Sequence, residues 1–243
     1  TMNILNQNKT SFAVVLPAGG LGKRMGSSVP KQLLSLRGKP VYFHSLETFL
    51  SMDEIAEVIL VVPKDWKSHF EQELLDGNAL SKEYQEKLKI VEGGKERWES
   101  VKQGVLAISK SSHVLVHDVA RPFISKDIIR ESCLALETKG ACIVARPVND
   151  TVKVVQDGVI QNTLDRTTVW LAQTPQSCSV ELLKSLYKKI EQNPLDFVPT
   201  DESSILEYFN IPVYVIRGDA LNDKITTPED WERFSSNSFY KNQ

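Results

Sequence analysis

A glycine-rich segment near the start of the chain carries the residue types best suited to phosphate chemistry. It spans residues 16–26, reads LPAGGLGKRMG, and is followed by Pro30-Lys31-Gln32. Glycines let the backbone approach a ligand closely, and the exposed N–H groups of such a loop can hold phosphate oxygens. Arg24 and Lys31 are suited to stabilising the negative charge of a polyphosphate during group transfer. The segment therefore predicts a phosphate-binding loop.

The spacing of the glycines does not fit the two most common nucleotide-binding loops. The Walker pattern needs a Gly-Lys pair followed by Ser or Thr, and the chain has no such triplet. In the dinucleotide pattern GxGxxG the third glycine should follow Gly22 after two residues, but Gly26 comes one residue late. The second predicted strand also ends at Val62-Pro63 without the acid that would bind a ribose, although Asp65 is near. An NAD-dependent oxidoreductase is therefore disfavoured.

The formal charge of the chain is distributed unevenly. The total is −2 with an isoelectric point of about 6.1, which argues against a dedicated nucleic-acid binder. Residues 1–46 nevertheless contain no acid and carry +6, so the remainder carries −8. The basic residues of this segment are Lys9, Lys23, Arg24, Lys31, Arg37 and Lys39. The pattern favours a basic pocket for one polyphosphate, and a solvated basic surface is the alternative.

The chain lacks the patterns of membrane, secreted and zinc-binding proteins. No apolar run approaches the roughly 20 residues that cross a bilayer, and residues 1–11 are too polar for a secretory signal. Cys133, Cys142 and Cys178 are odd in number and have no CxxC spacing, which favours neither a disulfide framework nor a zinc site. We expect a protein of a reducing compartment.

Short β-branched runs alternate with longer segments of helical periodicity. The predicted strands are Phe12–Leu16, Glu57–Val62, Leu88–Val91, His113–His117, Ala141–Ala145 and Val213–Ile216. The predicted helices are Val41–Leu50, Trp66–Leu75, Glu96–Ile108, Lys126–Leu136 and Val180–Ile190. Helices of this length between continuous apolar strands indicate βαβ units and a sheet covered on both faces. We predict one Rossmann-like α/β domain over residues 1–243, with a largely parallel sheet and helices on both faces. The glycine-rich segment follows the first strand, where such sheets usually bind ligands.

One segment departs from this alternation. Thr151–Val155 and Val159–Thr163 are β-prone stretches that flank Gln156-Asp157-Gly158, and Asp-Gly is a strong hairpin signal. The sequence predicts a β-hairpin that protrudes from the α/β body. A surface excursion is one interpretation. An arm that pairs with another subunit is the other, because an isolated hairpin is only marginally stable.

Eight motifs, in order along the chain, carry a resemblance to a known enzyme family. They are Pro17-Ala18-Gly19-Gly20-x-Gly22-x-Arg24-Met25 with Pro30-Lys31-Gln32, Gly93-Gly94-x-x-Arg97-x-x-Ser100-Val101, His117-Asp118-x-Ala120-Arg121-Pro122, Pro147-Val148-x-Asp150-Thr151-Val152-Lys153, Asp165-Arg166, Gln173-Thr174-Pro175-Gln176, Thr200-Asp201-Glu202 and Asn222-Asp223-Lys224-Ile225-Thr226. The first resembles the signature of sugar-phosphate nucleotidyltransferases. Together they resemble the 2-C-methyl-D-erythritol 4-phosphate cytidylyltransferase family of non-mevalonate isoprenoid biosynthesis. The resemblance implies that CTP and methylerythritol 4-phosphate give 4-diphosphocytidyl-2-C-methyl-D-erythritol and pyrophosphate.

The resemblance also implies roles for individual residues. The implied catalytic cations are Arg24, Lys31 and Lys224. The implied CTP-binding residues are Pro17, Ala18, Gly19, Gly20, Gly94, Arg97, Ser100 and Asp118. The implied contacts of the second substrate are Arg121, Thr151 and Arg166. Asp118 is also implied to lie near the metal, Mg²⁺ or another divalent cation, which the triphosphate mainly holds.

The same resemblance implies a homodimer and a location. The segment 147–168 is implied to be an interlocking dimer arm, with Thr151 and Arg166 acting across the interface. The implied partners of the protein are CTP and a polyol phosphate. Neither a nucleic-acid polymer nor a membrane is expected as a partner. A bacterial, cytoplasmic protein is expected, with a plastid form as the alternative.

Alternatives stay open at this stage. Ala-Gly-Gly in the loop and Asp65-Trp66-x-Ser68-His69 also resemble ribitol 5-phosphate cytidylyltransferases, whereas Asp165-Arg166-x-x-x-x-Trp170 and Thr200-Asp201-Glu202 favour the first family. A non-catalytic nucleotide-binding module is a further alternative, but it should lack the three cations. We interpret His117 as structural, because a phosphate nucleophile is already ionised at neutral pH and needs no general base.

Overall fold

The computed structural model describes residues 10–19, 30–77 and 79–236. Its strands are β1 Phe12–Pro17, β2 Ser35–Leu36, β3 Lys39–Pro40, β4 Ile55–Val62, β5 Leu88–Glu92, β6 His113–Val116, β7 Ala141–Pro147, β8 Lys153–Gln156, β9 Val159–Thr163, β10 Trp170–Ser179 and β11 Tyr214–Arg217. Its α-helices are α1 Val41–Leu50, α2 Lys67–Glu71, α3 Lys82–Lys87, α4 Arg97–Leu106, α5 Lys126–Lys139, α6 Val180–Gln192, α7 Glu202–Tyr208 and α8 Pro228–Ser235. Each predicted strand and helix has a counterpart among these elements.

Within the described residues, seven strands form one sheet in the order β11-β7-β10-β6-β1-β4-β5. All of its pairings are parallel except the two that β10 makes, with β6 and with β7. Because β1 lies between β6 and β4, the residues that follow it start from the middle of the sheet. The glycine-rich segment therefore begins at the carboxyl edge of a buried central strand.

Apolar side chains cover both faces of the sheet, and alternate residues of β1 belong to the two cores. Val14 and Leu16 pack on one face with residues of α1, α2 and α5. Ala13 and Val15 pack on the other with residues of α4, α6 and α7. The predicted Rossmann-like α/β class, with a largely parallel sheet and helices on both faces, is confirmed.

The central antiparallel strand β10 has no counterpart among the predicted strands. Its sequence, WLAQTPQSCS, contains five consecutive polar or proline residues and lacks a β-branched run. Pro175 lies where the register between β10 and β7 shifts, between Ala172 and Gln176. Proline has no N–H to donate to a neighbouring strand, so within sheets it is confined to edges and bulges. Pro175 therefore argued against a central strand, and the structure accommodates it at a bulge.

The predicted hairpin is present as β8 and β9, which pair only with each other in the part of the chain that the structure describes. All of their side chains are exposed. Asp157 and Gly158 both have positive φ, at 51° and 78°, which the two-residue hairpin turn requires. Four large apolar side chains of the hairpin face solvent: Val154, Val155, Val159 and Ile160.

A third, smaller core joins the C-terminal helix α8 to the N-terminal part of the chain. Phe234 of α8 packs with Leu36, Val41 and Ile225. Thr227 and Asp230 form a capping box that begins α8, and Pro228 occupies its first turn. This packing holds the segment that contains Lys224 against the main body.

None of the described helices has the length and apolar character that crossing a bilayer demands. The three cysteines are free and buried.

Candidate active site

A cavity of about 280 Å³ opens at the carboxyl edge of the sheet. Eight residues that the sequence assigned to the site line it: Pro17, Gly19, Lys31, Gly94, Arg97, Ser100, Asp118 and Lys224. They come from the ends of β1, β5 and β6, from the start of α4, from the helical turn at residues 31–33 and from the segment that follows β11. The topology thus gathers residues that are more than 200 positions apart in the chain into one pocket.

Two predicted site residues, Arg24 and Gly20, lie outside the described residues. The predicted site residue Ala18 is described and is buried beside the cavity, where its N–H donates to the Val61 carbonyl at 2.7 Å. Its carbonyl accepts a hydrogen bond from the Gln32 side chain. Sequence reasoning gave Gln32 no role, although it belongs to the Pro30-Lys31-Gln32 motif.

The turn between β5 and α4 presents backbone to the cavity. The Ser100 hydroxyl accepts from the N–H of Gly94 at 3.1 Å. The Glu99 carboxylate accepts from the N–H groups of Lys95 and Glu96, at 2.8 and 3.0 Å, and so fixes the start of α4. A Cβ on Gly94 would lie 2.4 Å from the Glu99 Cβ, so only glycine fits this turn unchanged.

Four charged side chains are linked by ion pairs at the site: Arg97, Asp118 and Lys224, which line the cavity, and Glu202, which is buried. Arg97 makes a bidentate pair with Glu202, at 2.8 and 3.1 Å, and its Nε donates to Asp118 Oδ1 at 3.0 Å. The Lys224 ammonium donates to Asp118 Oδ2 at 2.8 Å. Two carboxylates and two cations therefore balance one another at the site.

The buried charges keep Asp118 ionised. Burial by itself would raise the pKa of the Asp118 carboxyl, but Arg97 and Lys224 outweigh burial and hold the pKa well below its usual value. Burial would lower the pKa of Arg97, but Glu202 and Asp118 hold it above its usual value. Burial raises the pKa of the Glu202 carboxyl, and the Arg97 guanidinium offsets part of that rise.

Glu202 is the site residue whose role sequence reasoning missed. Its side chain is almost fully buried and its carboxylate is the partner of the Arg97 fork. The sequence did mark this residue, because Thr200-Asp201-Glu202 is one of the eight motifs. Nothing in the residue types or their spacing indicated that Glu202 pairs with Arg97. The two residues are 105 positions apart.

Lys31 reaches the segment that carries Lys224. Its ammonium donates to the carbonyl of Ile225, the residue that follows Lys224. Ile225 is fully buried, and its N–H donates to the Ala120 carbonyl at 2.9 Å. The two predicted catalytic lysines therefore lie on neighbouring walls of one cavity.

A second cavity of about 170 Å³ adjoins the first and shares Arg97, Asp118 and Lys224 with it. Arg121 lines this second cavity and is buried. Its Nη1 donates to the Asn222 carbonyl at 2.8 Å, and its Nη2 to the Ala172 carbonyl at 3.3 Å. Its buried Nε has no partner among the described residues. The second cavity thus has a buried cation in its wall, next to the shared charges.

His117 lies behind this wall with both ring nitrogens occupied. Nε2 lies 3.0 Å from the Arg121 carbonyl, which can only accept, so Nε2 carries the proton. Nδ1 then accepts from the Thr174 hydroxyl at 2.9 Å. Burial lowers the pKa of His117 to about 4, so the ring is neutral at pH 7. These contacts suit a structural residue.

The two predicted arm residues, Thr151 and Arg166, do not line either cavity of their own chain. Both are exposed, and Arg166 donates to the Asn149 carbonyl at 2.8 Å. The structure of one chain therefore leaves them apart from the other predicted site residues.

The residues present fit a divalent cation held jointly with a substrate. No group of three or more His, Cys, Asp or Glu side chains in the described ranges could hold a metal by itself. Asp118 offers an ionised, hard oxygen donor in the cavity. Mg²⁺ is commonly bound by one or two carboxylates together with substrate phosphates, which this donor set allows.

The pocket at the carboxyl edge of the α/β sheet, beside a second cavity that shares Arg97, Asp118 and Lys224, has the charges to hold a nucleotide next to a second phosphate, as a nucleotidyltransferase must. A family model described as 2-C-methyl-D-erythritol 4-phosphate cytidylyltransferase matches residues 12–236. The chain belongs to this family.

Individual relatives agree with the family match. The proteins of that name from Lachnospira eligens and Alkaliphilus oremlandii are 40% and 41% identical over 222 and 226 residues. These alignments cover 90% and 92% of this chain and 95% and 93% of the relatives. Among solved structures, the 4-diphosphocytidyl-2C-methyl-D-erythritol synthase of Anaerococcus prevotii is similar at a TM-score of 0.78 and 30% identity, covering 94% of this chain and 96% of that one. The Thermus thermophilus cytidylyltransferase gives 0.75 and 27%, with coverage of 93% and 98%.

Proposed function

We propose that this chain transfers the cytidylyl group of CTP to 2-C-methyl-D-erythritol 4-phosphate, in non-mevalonate isoprenoid biosynthesis. An oxygen of the polyol phosphate forms a bond to the α-phosphorus of CTP, and the bond from that phosphorus to pyrophosphate breaks. The products are 4-diphosphocytidyl-2-C-methyl-D-erythritol and pyrophosphate. The observation that carries the proposal is the pair of adjoining cavities, which share Asp118 and Lys224 in a chain of this family.

In this proposal the protein positions two anions and stabilises their charge. The attacking phosphate is ionised at neutral pH, so no side chain has to remove a proton from it. Lys31 and Lys224 would stabilise the charge of the α-phosphoryl oxygens and the leaving pyrophosphate, together with Arg24. Support comes from the cavity position of both lysines.

The first cavity is proposed to bind CTP. Backbone groups of the turn at Gly94 and of Gly19, with Ala18 buried beside them, can satisfy the carbonyl and amino groups of a pyrimidine. Pro17, Gly20, Arg97, Ser100 and Asp118 complete the proposed set. The Ser100–Gly94 hydrogen bond supports this assignment, because it gives the turn one fixed conformation.

Mg²⁺, or another divalent cation, is proposed to bind with the triphosphate. Asp118 would hold it together with phosphate oxygens, and the cation would neutralise part of the charge on the phosphates when bound. The low pKa of Asp118 supports this role because the carboxylate stays ionised across physiological pH.

The second cavity is proposed to bind the polyol phosphate, completed by a second subunit. Arg121 would contact this substrate from its own chain, and its position in the wall of the second cavity supports the assignment. Thr151 and Arg166 of the other chain's arm would bind the phosphate, for which the planar arginine fork is suited. A homodimer through residues 147–168 is supported by the exposed apolar side chains of the hairpin. A bacterial cytoplasmic location belongs to the same proposal and is supported by the bacterial relatives.

Replacing Lys31 tests the catalytic proposal. We expect Lys31→Ala to lower kcat by about two to three orders of magnitude while the fold survives, because a charge-stabilising donor is lost. Arg24→Ala should behave similarly. Lys188→Ala, an exposed lysine on α6, is the matched control and should keep normal activity. Pyrophosphate release measures all three, and near-wild-type turnover of Lys31→Ala would refute its assignment.

The choice of polyol needs a separate assay. Release of pyrophosphate from CTP should be measured with methylerythritol 4-phosphate and ribitol 5-phosphate side by side. We expect the first to be used at a far higher kcat/KM, in line with the names of the relatives. Preference for ribitol 5-phosphate would overturn the substrate while leaving the reaction class intact.

A further inference from the structure

The Asp223 carboxylate lies at a junction of three segments next to the site. Arg146, on β7, pairs with it through Nε to Oδ1 at 3.0 Å and Nη2 to Oδ2 at 3.2 Å. Arg233, on α8, donates to Oδ2 at 3.3 Å. The Asp223 side chain is largely buried, and it is not among the described residues that line either cavity. Its contacts therefore serve the protein and not the substrates directly.

Hydrogen bonds from β10 hold the same segment. The Gln173 side-chain amide donates to Asp223 Oδ1 at 3.0 Å and to the Asp219 carbonyl at 2.8 Å. The amide of buried Asn222 donates to the Thr174 carbonyl at 2.7 Å. With Ile225 fixed on the other side, the backbone on both sides of Lys224 is held in one position.

The position of Lys224 decides where its ammonium lies. The ammonium contacts Asp118 at the boundary shared by the two cavities. In enzymes, a displacement of about 1 Å of a reacting or charge-stabilising group can cost about 100-fold in rate. A contact that fixes the backbone beside Lys224 can therefore affect turnover without touching a substrate.

Asp223 also holds the root of the arm. Arg146 pairs with Leu171 across β7 and β10, the two strands from which the segment 147–168 emerges. One carboxylate thus ties the base of the arm to the segment that carries Lys224.

We propose that Asp223 is a positioning residue that fixes Lys224 and the root of the arm in one geometry through Arg146 and Arg233. This inference rests on the proposed function, in which Lys224 acts in its own site and the arm completes the site of the other subunit. Asp223 would set how the polyol phosphate meets the α-phosphorus, and would leave the base pocket of CTP unaffected.

Asp223→Asn tests the inference, because the amide keeps the size of the side chain and removes its charge. We expect kcat to fall about tenfold or more and the KM for methylerythritol 4-phosphate to rise at least about threefold, with the KM for CTP within about twofold. Glu54→Gln is the matched control. It also removes a carboxylate from an ion pair with an arginine, since Arg130 Nε lies 3.3 Å from Glu54 Oε1. This pair lies at the opposite edge of the sheet, so the substitution should change none of these constants.

Two further measurements separate positioning from a general loss of structure. Hydrogen exchange of residues 219–225 should become about tenfold faster in Asp223→Asn and stay unchanged in Glu54→Gln. The double variant with Arg146→Gln should be no worse than the more impaired single variant, because both remove the same pair. Wild-type kinetics and unchanged exchange in Asp223→Asn would overturn the inference. So would a loss of kcat that follows only the folded fraction.

Failure of the proposed function gives a different pattern. Full activity of Lys224→Ala, or a wild-type protein inactive with both polyol phosphates, would overturn the proposed function. In that case exchange at residues 219–225 still decides whether Asp223 fixes the segment.

Discussion

Arg97 organises the charges of the site at the scale of single residues. It pairs with both Glu202 and Asp118, so the removal of either carboxylate leaves a partly buried cation with fewer partners. In Glu202→Gln the remaining amide cannot balance the guanidinium. Glu202 therefore holds the Arg97 guanidinium in place beside the cavity.

We expect Glu202→Gln to lower the free energy of unfolding by about 3 kcal/mol, measured by urea denaturation. This is the lower end of the range for breaking a buried ion pair, because the Arg97 side chain remains 25% exposed. The control is Glu191→Gln, which removes the surface partner of Lys102 and should cost about 1 kcal/mol or less. Equal effects of the two substitutions would contradict the prediction.

A second prediction at this scale concerns acid and His117. Its pKa falls from the ordinary 6.5 to about 4 in the folded protein because burial disfavours the charged ring. The unfolded chain therefore binds the proton more readily, and stability falls as the pH drops below 6.5, until the loss levels off below about 4. Between pH 7 and pH 5 this contribution is about 2 kcal/mol.

His117→Gln should lack this contribution. We expect its free energy of unfolding to change between pH 7 and 5 by about 2 kcal/mol less than that of the wild type. The comparison cancels the acidic groups and the other histidines, which titrate in both proteins. Parallel stability curves would show that His117 is not buried in its neutral form.

At the scale of elements, the turn between β5 and α4 is a part of the proposed CTP pocket whose shape is held by side-chain hydrogen bonds. Ser100 and Glu99, both on α4, fix its backbone. Helix and pocket are thus coupled, because the cap that begins α4 is also the wall of the cavity.

Gly94→Ala should disturb this wall. The added Cβ would lie 2.4 Å from the Glu99 Cβ, so the turn or the start of α4 must shift. We expect the KM for CTP to rise about tenfold or more in initial-rate kinetics, with a smaller effect on the KM of the polyol phosphate. The reverse pattern, with the polyol phosphate affected more than CTP, would place the turn next to the other substrate.

At the scale of the whole molecule, residues of a single chain line the first cavity, but the predicted arm residues of that chain lie apart from both cavities. If the arm of a second chain completes the site, turnover should require the dimer, whereas CTP binding should not. The two properties can be separated by removing the arm.

Replacing residues 149–166 with a short glycine linker should give a monomer that binds CTP normally and has no turnover. Exposed apolar side chains of β8 and β9 would be lost, and with them the proposed subunit contact. Sedimentation velocity measures the assembly state, calorimetry measures CTP affinity, and pyrophosphate release measures turnover. A fully active monomer would refute the role of the arm.

Local sequence was sufficient for most of the elements. Continuous apolar runs predicted β1, β4 and the other parallel strands, since strands buried on both faces need apolar side chains at nearly every position. Asp157-Gly158 predicted the hairpin because both positions need positive φ. The strand β10 was missed, since its polar residues and Pro175 are tolerated only through a bulge and through the neighbours on both sides.

For the site, the sequence by itself determined which residues are chemically competent: the glycine-rich loop, the lysines and the acid after a buried strand. Only the tertiary structure decided which of them meet. The Arg97–Glu202 and Lys224–Asp118 pairs join residues 105 and 106 positions apart, and no local pattern encodes such partners. Side-chain type is a property of one position, whereas an ion pair in a cavity depends on how the whole sheet orders its strands. The sequence therefore determined the chemistry available to this protein, and the fold decided how its charges are paired.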